Sequence, residues 1–327
     1  MTVNLKGRSF LTLLDFSPSE IRYLIDLGHA LKRKKKSGVR DKVLEGKNIV
    51  LIFDKTSTRT RCAFEVAAYD EGANVTYLSN SQMGKKESIE DTAVVLGKFY
   101  DGIEFRGFDP SIVETLAEKS GIPVWNGLTD EDHPTQVLAD FMTLEEKVNK
   151  PLKDIKLTFV GDARNNMSNA LMYGCAKMGM TYVAYGPKEL WPSQEVLDKA
   201  NSIAAETGAK IIVTDNIIDL AGSDAIYTDI WASMGEEDKM QERVKILSPY
   251  KVTKDLLKAA DNENVIFMHC LPAYHDFNTQ TAKYYIEEQG IDIREVSDEV
   301  FRSKHSVVFD EAENRLHSIK AVMVATL

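Results

Sequence analysis

No stretch of this sequence reaches the ~18 consecutive apolar residues of a membrane-spanning helix, so no helical membrane span is expected. The start, MTVNLKGRSFLTLLDFSP, lacks an apolar core followed by a cleavage site, and an unexported, cytoplasmic protein is expected. Cysteine is scarce: Cys62, Cys175 and Cys270 lie far apart, form no C-x-x-C pair and are odd in number, which excludes a disulfide framework and suits a reducing compartment. Basic charge is also short. Acidic residues outnumber basic ones by 50 to 40, and a net charge of -10 argues against a general nucleic-acid-binding face, so any anion site must be local. Two glycine patterns are missing as well. Without G-x-x-x-x-G-K-[ST] there is no P-loop, and without G-x-G-x-x-G the backbone cannot approach a dinucleotide pyrophosphate closely. Internal repeats and low-complexity segments are absent from the pattern too.

What is present is 327 residues with 43% apolar and 28% charged side chains, enough for about two globular domains. Ser17-Pro18-Ser19-Glu20 signals a helix start, and Ile21, Leu24, Ile25, Leu27 and Leu31 share a face over residues 17–36. That helix ends in KRKKKSG, read as a solvated basic end stopped by Gly38. NIVLIF (48–53), NVTYL (74–78), DGIEFRG (101–107) and PVWNG (123–127) read as strands, with helical patterns at 59–71, 88–99 and 110–120 between them. After Lys150-Pro151 the alternation restarts with KLTFVGD, a helix over 166–179, TYVAYG, a helix over 193–207, then KIIVTD, DAIYTDIW and VIFMHCLP. The expected fold class is α/β, with two domains, each a parallel β-sheet flanked by helices, over residues 1–149 and 150–327.

In open α/β sheets ligands sit beyond the carboxyl ends of strands, so the polar residues after each apolar run are the candidates. In DKTSTRTR a strand ends and a helix begins. The first turn's N–H groups, the hydroxyls of Ser57, Thr58 and Thr60, and the Arg59 guanidinium suit a phosphate or carboxylate, although a Ser/Thr cap beside exposed arginines accounts for the same letters. Arg106 closes an apolar strand, where a guanidinium needs an anion or a structural ion-pair partner. DEDHPTQ places His133 before a helix-starting proline and three residues before Gln136. In GDARNN, Asn166 could cap a helix or donate to a ligand carboxylate. Asp229 ends a strand, and Ser233-Met234-Gly235 after it make a loop small enough to close over a ligand. His269, Cys270 and His275 invite a metal, but the spacing of a structural zinc site is missing, and a buried inert thiol fits Cys270 equally well.

Taken together, STRTR, DHPTQ, GDARNN, DIWASMG, HCLP and DEAENRLHSIKAVMV resemble the aspartate/ornithine carbamoyltransferase family, in that family's order and over nearly the whole chain. STRT and HPTQ are shared across the family, whereas SMG and HCLP resemble its ornithine-using branch. The resemblance implies a carbamoyl phosphate-binding first domain and an amino-acid-binding second domain, with the last helix returning to the first. It implies that Ser57, Thr58, Arg59, Thr60 and Arg106 bind phosphate and that Arg106, His133 and Thr58 polarise the carbamoyl oxygen. Gln136, the Leu271 carbonyl and Arg315 would complete that pocket, while Asn166, Asp229, Ser233, Met234 and Cys270 would hold the acceptor. No metal or other cofactor, no nucleic acid and no membrane is implied. A homotrimer, or a multiple of trimers, is implied, with sites at subunit interfaces and SQMGKKES reaching a neighbour, which makes Gln82 and Lys86 candidates for cross-subunit anion contacts. The residues left without a role are Lys55 and Arg61.

Two rivals remain open. One is a carbamoyltransferase for another amine, putrescine, an acylated ornithine or aspartate, although SMG is what aspartate-using relatives lack. The other is a non-catalytic anion-binding protein on the same fold, whose sign would be missing site residues.

Overall fold

The computed structural model describes residues 3–79, 81–232 and 235–327. The chain divides into two compact units, the first holding residues 1–142 and 312–327 and the second residues 143–311. The first domain was expected to run to residue 149.

Unit 1 is built on a four-stranded parallel sheet of β1 (Asn48–Phe53), β2 (Asn74–Leu78), β3 (Gly102–Arg106) and β4 (Val124–Leu128), in the order β2-β1-β3-β4. Its helices are α1 (Pro18–Lys36), α2 (Arg59–Asp70), α3 (Ile89–Phe99), α4 (Pro110–Ser120) and the start of α5 (Pro134–Lys147). β1 is a near-continuous apolar run and β3 is buried throughout, because parallel strands are covered on both faces. Val50, Ile52, Ile103, Phe105 and Val124 pack on Ala93, Leu96, Val113 and Leu116 of α3 and α4. The chain goes from β1 outward to β2 and then back to β3 on the other side of β1, so strand order reverses between β1 and β3, where a ligand crevice forms in such sheets.

One irregularity shapes that crevice. Phe105 pairs with Asn126 but Arg106 pairs with Leu128, so Gly127 is an extra residue bulged out of β4. A β-carbon on Gly127 would fall 1.9 Å from a carboxylate oxygen of Glu104, so any larger residue here must displace that carboxylate or part the strands.

The basic end of α1 differs from the solvated run expected. Ser17 caps the start with a full capping box to Glu20, but at the far end Lys32 is buried and donates to Asn314 Oδ1 at 2.7 Å. Lys34 pairs with Glu71 at 3.1 Å, and Lys36 with Glu313 at 3.2 Å. The cations anchor α1 to α2 and to residues of the last helix, α12 (Val308–Thr326), because partners from those elements reach them. The expected return of the C-terminal helix is what the structure shows: Trp125 Nε1 donates to Thr326 Oγ1 at 3.0 Å and Ser318 Oγ to the Thr135 carbonyl at 2.9 Å.

Unit 2 carries a five-stranded parallel sheet of β5 (Lys156–Val160), β6 (Thr181–Tyr185), β7 (Lys210–Thr214), β8 (Ala225–Thr228) and β9 (Ile266–Met268), in the order β7-β6-β5-β8-β9. Here the order reverses between β5 and β8. The flanking helices are α6 (Asn166–Lys177), α7 (Gln194–Thr207), α8 (Met240–Leu247), α9 (Lys254–Lys258), α10 (Gln280–Gln289) and α11 (Asp298–Phe301). Gly161, at φ 128°, turns the chain out of β5 in a conformation that side chains rarely adopt. No helix among the described residues is long and apolar enough to cross a membrane.

Candidate active site

In unit 1 the residues beyond β1, β3 and β4 converge on one hydroxyl. Thr60, in the first turn of α2, is buried, and its Oγ1 accepts from Arg106 Nη1 at 3.0 Å and from Arg315 Nη2 at 3.3 Å. Two guanidiniums on one neutral oxygen leave strong positive charge at the end of β1. Ser57 Oγ accepts the Thr60 N–H at 3.3 Å, whereas the Thr58 side chain makes no capping bond and is exposed, with Arg59 half-buried beside it.

Arg315 reaches further. Its Nη1 bonds His133 Nε2 at 3.0 Å and also donates to Gln136 Oε1, and its Nη2 donates to the Gly127 carbonyl at 3.3 Å. Because a guanidinium only donates, His133 Nε2 must accept, so the ring is neutral and carries its proton on Nδ1. The electrostatics agree: burial and the charges of Arg315, Arg106 and Arg59 hold the ring well below the usual histidine range, with only the Gly127 backbone acting the other way. His133 Nδ1 is buried with no hydrogen-bond partner among the described residues. Gln136 is oriented by donating Nε2 to Asp140 Oδ1 at 2.8 Å, which turns its oxygen toward Arg315. Asp140 was invisible as a site residue, although it follows Gln136 at the i,i+4 spacing of a helix.

Gln82 and Lys86 lie elsewhere, both exposed on a turn in which the Gln82 carbonyl accepts the Lys85 and Lys86 N–H groups. Lys55 and Arg61 receive structural explanations. Lys55 sits 4.6 Å over the Phe108 ring and 3.4 Å from Asp130, while Arg61 stacks 3.6 Å over Tyr77 and bonds Glu65.

In unit 2 the strand ends β5, β8 and β9 supply a second cluster. Asn165, not Asn166, caps α6 by accepting the Ser168 N–H at 2.8 Å; Asn166 is the first helical residue and half-buried. Asp229 Oδ1 accepts the Ile230 N–H at 2.8 Å and the Cys270 thiol at 3.4 Å, and its other oxygen faces Asn165 Nδ2 at 3.5 Å. Burial pushes the Asp229 carboxyl up, against the pull of His269. Ser233 and Met234 lie outside the described residues.

His269 fixes the HCLP turn. Its Nδ1 accepts the Leu271 N–H at 2.9 Å, so its proton sits on Nε2, which faces buried Glu295 Oε1 at 3.1 Å. Glu295 also accepts the Tyr274 N–H at 2.7 Å, and burial pushes its carboxyl up to about 8. The His269 N–H donates to Glu311 Oε2 at 3.0 Å. Leu271 is thereby held at φ 58°, an unusual backbone for leucine. Nothing in the sequence pattern marked Glu295, and DEAENRLHSIKAVMV gave Glu311 no role, since each meets His269 only through the fold.

Of the metal-type residues, Asp229, His269 and Cys270 lie together, but both ring nitrogens of His269 and the thiol are engaged in hydrogen bonds. His275 groups instead with Asp276 and Asp298, whose charge Arg302 meets at 3.5 and 2.9 Å.

The family model described as the aspartate/ornithine carbamoyltransferase carbamoyl-P binding domain matches residues 8–146, and the one for the Asp/Orn binding domain matches residues 153–326. The chain belongs to the aspartate/ornithine carbamoyltransferase family. Among members of this carbamoyltransferase family, the catabolic ornithine carbamoyltransferase of Clostridium perfringens is 63% identical over 100% of this chain and 99% of its own length. The ornithine carbamoyltransferase of Limosilactobacillus reuteri is 60% identical over the same shares. The solved structure of the Pyrococcus furiosus ornithine carbamoyltransferase superposes with a TM-score of 0.90 at 40% identity, covering 99% of this chain and 98% of that one. The carbamoyl-P binding model covers Thr60, Arg106, His133 and Gln136, and the Asp/Orn binding model covers the Asp229 cluster together with Arg315.

Proposed function

We propose that this carbamoyltransferase family member is an ornithine carbamoyltransferase, moving the carbamoyl group of carbamoyl phosphate to the δ-amine of L-ornithine to give L-citrulline and phosphate. The observation that carries the reading is the convergence of Arg106 and Arg315 on Thr60 beside a neutral His133. Such a pocket matches a dianionic phosphate next to a polarisable carbonyl. The full-length identity with ornithine carbamoyltransferases supports the acceptor.

In this reading Ser57, Thr58, Arg59, Thr60 and Arg106 hold the phosphate. Arg106, the His133 Nδ1–H and Thr58 donate to the carbamoyl oxygen, and Gln136 with the Leu271 carbonyl accepts from the carbamoyl amino group. Asn166, Asp229, Ser233 and Met234 hold the α-amino and α-carboxylate groups of ornithine, with Cys270 near its side-chain amine. The neutral amine attacks the carbamoyl carbon, the carbonyl electron pair moves onto oxygen, and collapse of that oxyanion breaks the bond to phosphate. The departing phosphate oxygen takes the proton that nitrogen loses. Donors preorganised toward the oxyanion are typically worth about 3–4 kcal/mol each. An alkylamine with a pKa of ~10.4 must give up roughly 4–5 kcal/mol to be neutral at pH 7. Partial desolvation offsets that, whereas a nearby carboxylate opposes it, so Asp229 orients the substrate and does not deprotonate it.

The working unit in this proposal is a cytoplasmic homotrimer or a multiple of it, with Gln82 and Lys86 reaching a neighbouring subunit's phosphate site. Their exposure supports this, as does the apolar surface that follows them on α3, where Val94, Val95 and Phe99 are 47%, 40% and 69% exposed. The deciding experiment is a carbamoyl phosphate assay offering ornithine, putrescine, N-acetylornithine and aspartate in parallel. Turnover of ornithine above the others is expected; none with ornithine would overturn the reading.

A further inference from the structure

Gln136 and Asp140 lie four residues apart on the first two turns of α5, and both side chains are buried in unit 1. That spacing stacks them on one face of the helix. Gln136 Nε2 donates to Asp140 Oδ1 at 2.8 Å, and the other end of the same amide is gripped as well, because Arg315 Nη1 donates to Gln136 Oε1. A guanidinium only donates and an unprotonated carboxyl oxygen only accepts, so the two partners agree on which amide atom is nitrogen and which is oxygen. Turning the amide over would set an N–H against Arg315 and an oxygen against Asp140, losing both bonds. Arg315 Nη1 also bonds His133 Nε2 at 3.0 Å, so the oxygen end of Gln136 lies beside the histidine in the arginine-rich cluster.

In the function proposed above Gln136 accepts a hydrogen bond from the carbamoyl amino group, and the inference rests on that reading. We propose that Asp140 is the positioning residue that fixes the polarity of the Gln136 amide, and through it makes the site prefer a carbamoyl phosphate to an acyl phosphate. The two ends of an amide fill nearly the same space, so shape alone does not decide which one faces a ligand. An oxygen there attracts the amino group of carbamoyl phosphate. An acyl phosphate brings a methyl group to the same place, which donates nothing, and a site built to hydrogen-bond an N–H discriminates strongly against the analogue without it. A nitrogen facing the ligand would reverse the preference. Arg315 holds only the oxygen end and divides its donors among His133, Thr60 and the Gly127 carbonyl as well. Asp140 holds the nitrogen end from the same helix as Gln136, whichever way Arg315 shares its donors, and needs no contact with the ligand.

The test is steady-state kinetics with ornithine as acceptor, giving the KM for carbamoyl phosphate and the inhibition constants of phosphate and of acetyl phosphate, in which a methyl group replaces the amino group. The unmodified protein is expected to prefer carbamoyl phosphate to acetyl phosphate. In Asp140→Leu, which removes the acceptor, the KM for carbamoyl phosphate should rise about tenfold while the two inhibition constants stay within about twofold, since neither inhibitor has an amino group to lose. Asp140→Asn keeps an oxygen for Gln136 Nε2 and should retain most of the preference. In a Gln136→Ala background Asp140→Leu should cost no further preference, because no amide is left to hold. Should the leucine variant fail to fold, Asp140→Ala removes the same oxygen and carries the same expectation. Equal weakening of all three ligands, or a loss of preference that persists without Gln136, would make Asp140 a support of the fold and overturn the proposal. An unmodified protein that bound acetyl phosphate as tightly as carbamoyl phosphate would overturn the role of Gln136 in the proposed function and this inference with it, whereas a preference that survives the loss of the Asp140 oxygen would sink only the role of Asp140.

Discussion

The reach of Arg315 over His133, Gln136, Thr60 and the Gly127 carbonyl depends on a planar fork, which lysine cannot reproduce. Arg315→Lys should therefore keep the charge yet lower kcat/KM for carbamoyl phosphate by roughly 2–4 kcal/mol of transition-state stabilisation, measured in steady-state kinetics. At the other cluster, Asp229→Asn should lower kcat/KM for ornithine about a hundredfold, because a buried charge partner is lost, with phosphate affinity unchanged; unaltered ornithine kinetics would refute its placement at the acceptor. Glu295 carries a pH signature. Its folded carboxyl sits at about 8 against an ordinary glutamate value of 4.5, so its contribution to stability is fully present at acid pH and is lost as pH rises through about 8. Relative to the unmodified protein, Glu295→Gln should gain roughly 2–4 kcal/mol between about pH 5 and pH 8, read from denaturant midpoints across that range. At this scale the sequence spoke through strand ends. Thr60, Arg106, His133, Asp229 and Cys270 lie at or after strand ends and could be singled out, whereas Glu104 and Glu295 sit inside unremarkable stretches, and Glu311, though within DEAENRLHSIKAVMV, acquires its meaning only from what the fold brings against it.

Elements explain why the pattern was legible to that extent. Parallel strands covered on both faces announce themselves as apolar runs, so β1 to β9 could be read within a residue or two at most ends. The segment after residue 207 gave strands but little helical period, and α8 to α11 are short and held by context more than by an amphipathic stripe. The bulge at Gly127 was not readable either, since a lone glycine near a strand end has several uses. Its role is testable. Gly127→Ala must displace the Glu104 carboxylate or spread β3 from β4, and it should cost about 1–3 kcal/mol of stability and weaken phosphate binding, measured by thermal melts with and without phosphate. Little change in both would show that the strands yield more easily than the packing implies.

For the whole molecule, the division of labour between two units follows from two sheets that each reverse strand order once, giving one crevice per unit. If the assembly is a head-to-tail ring, subunits carrying Arg106→Ala and subunits carrying Gln82→Ala, each inactive alone, should regain about a quarter of the native sites when mixed and reassembled. No recovered activity in the hybrids would remove Gln82 from a neighbour's site. The last helix adds a constraint in time. Chain synthesis proceeds from the amino end, and residues 3–142 can begin to fold while the second unit is still being made. Arg315, however, is made only after the whole of the second unit, so a nascent chain carries Arg106, His133 and Gln136 through the synthesis of residues 143–311 without the guanidinium that bonds Thr60, His133 and Gln136. The phosphate site proposed above is thus complete only once α12 has been made, and a ribosome stalled short of α12 would present a first unit lacking both its last helix and the Arg315 guanidinium.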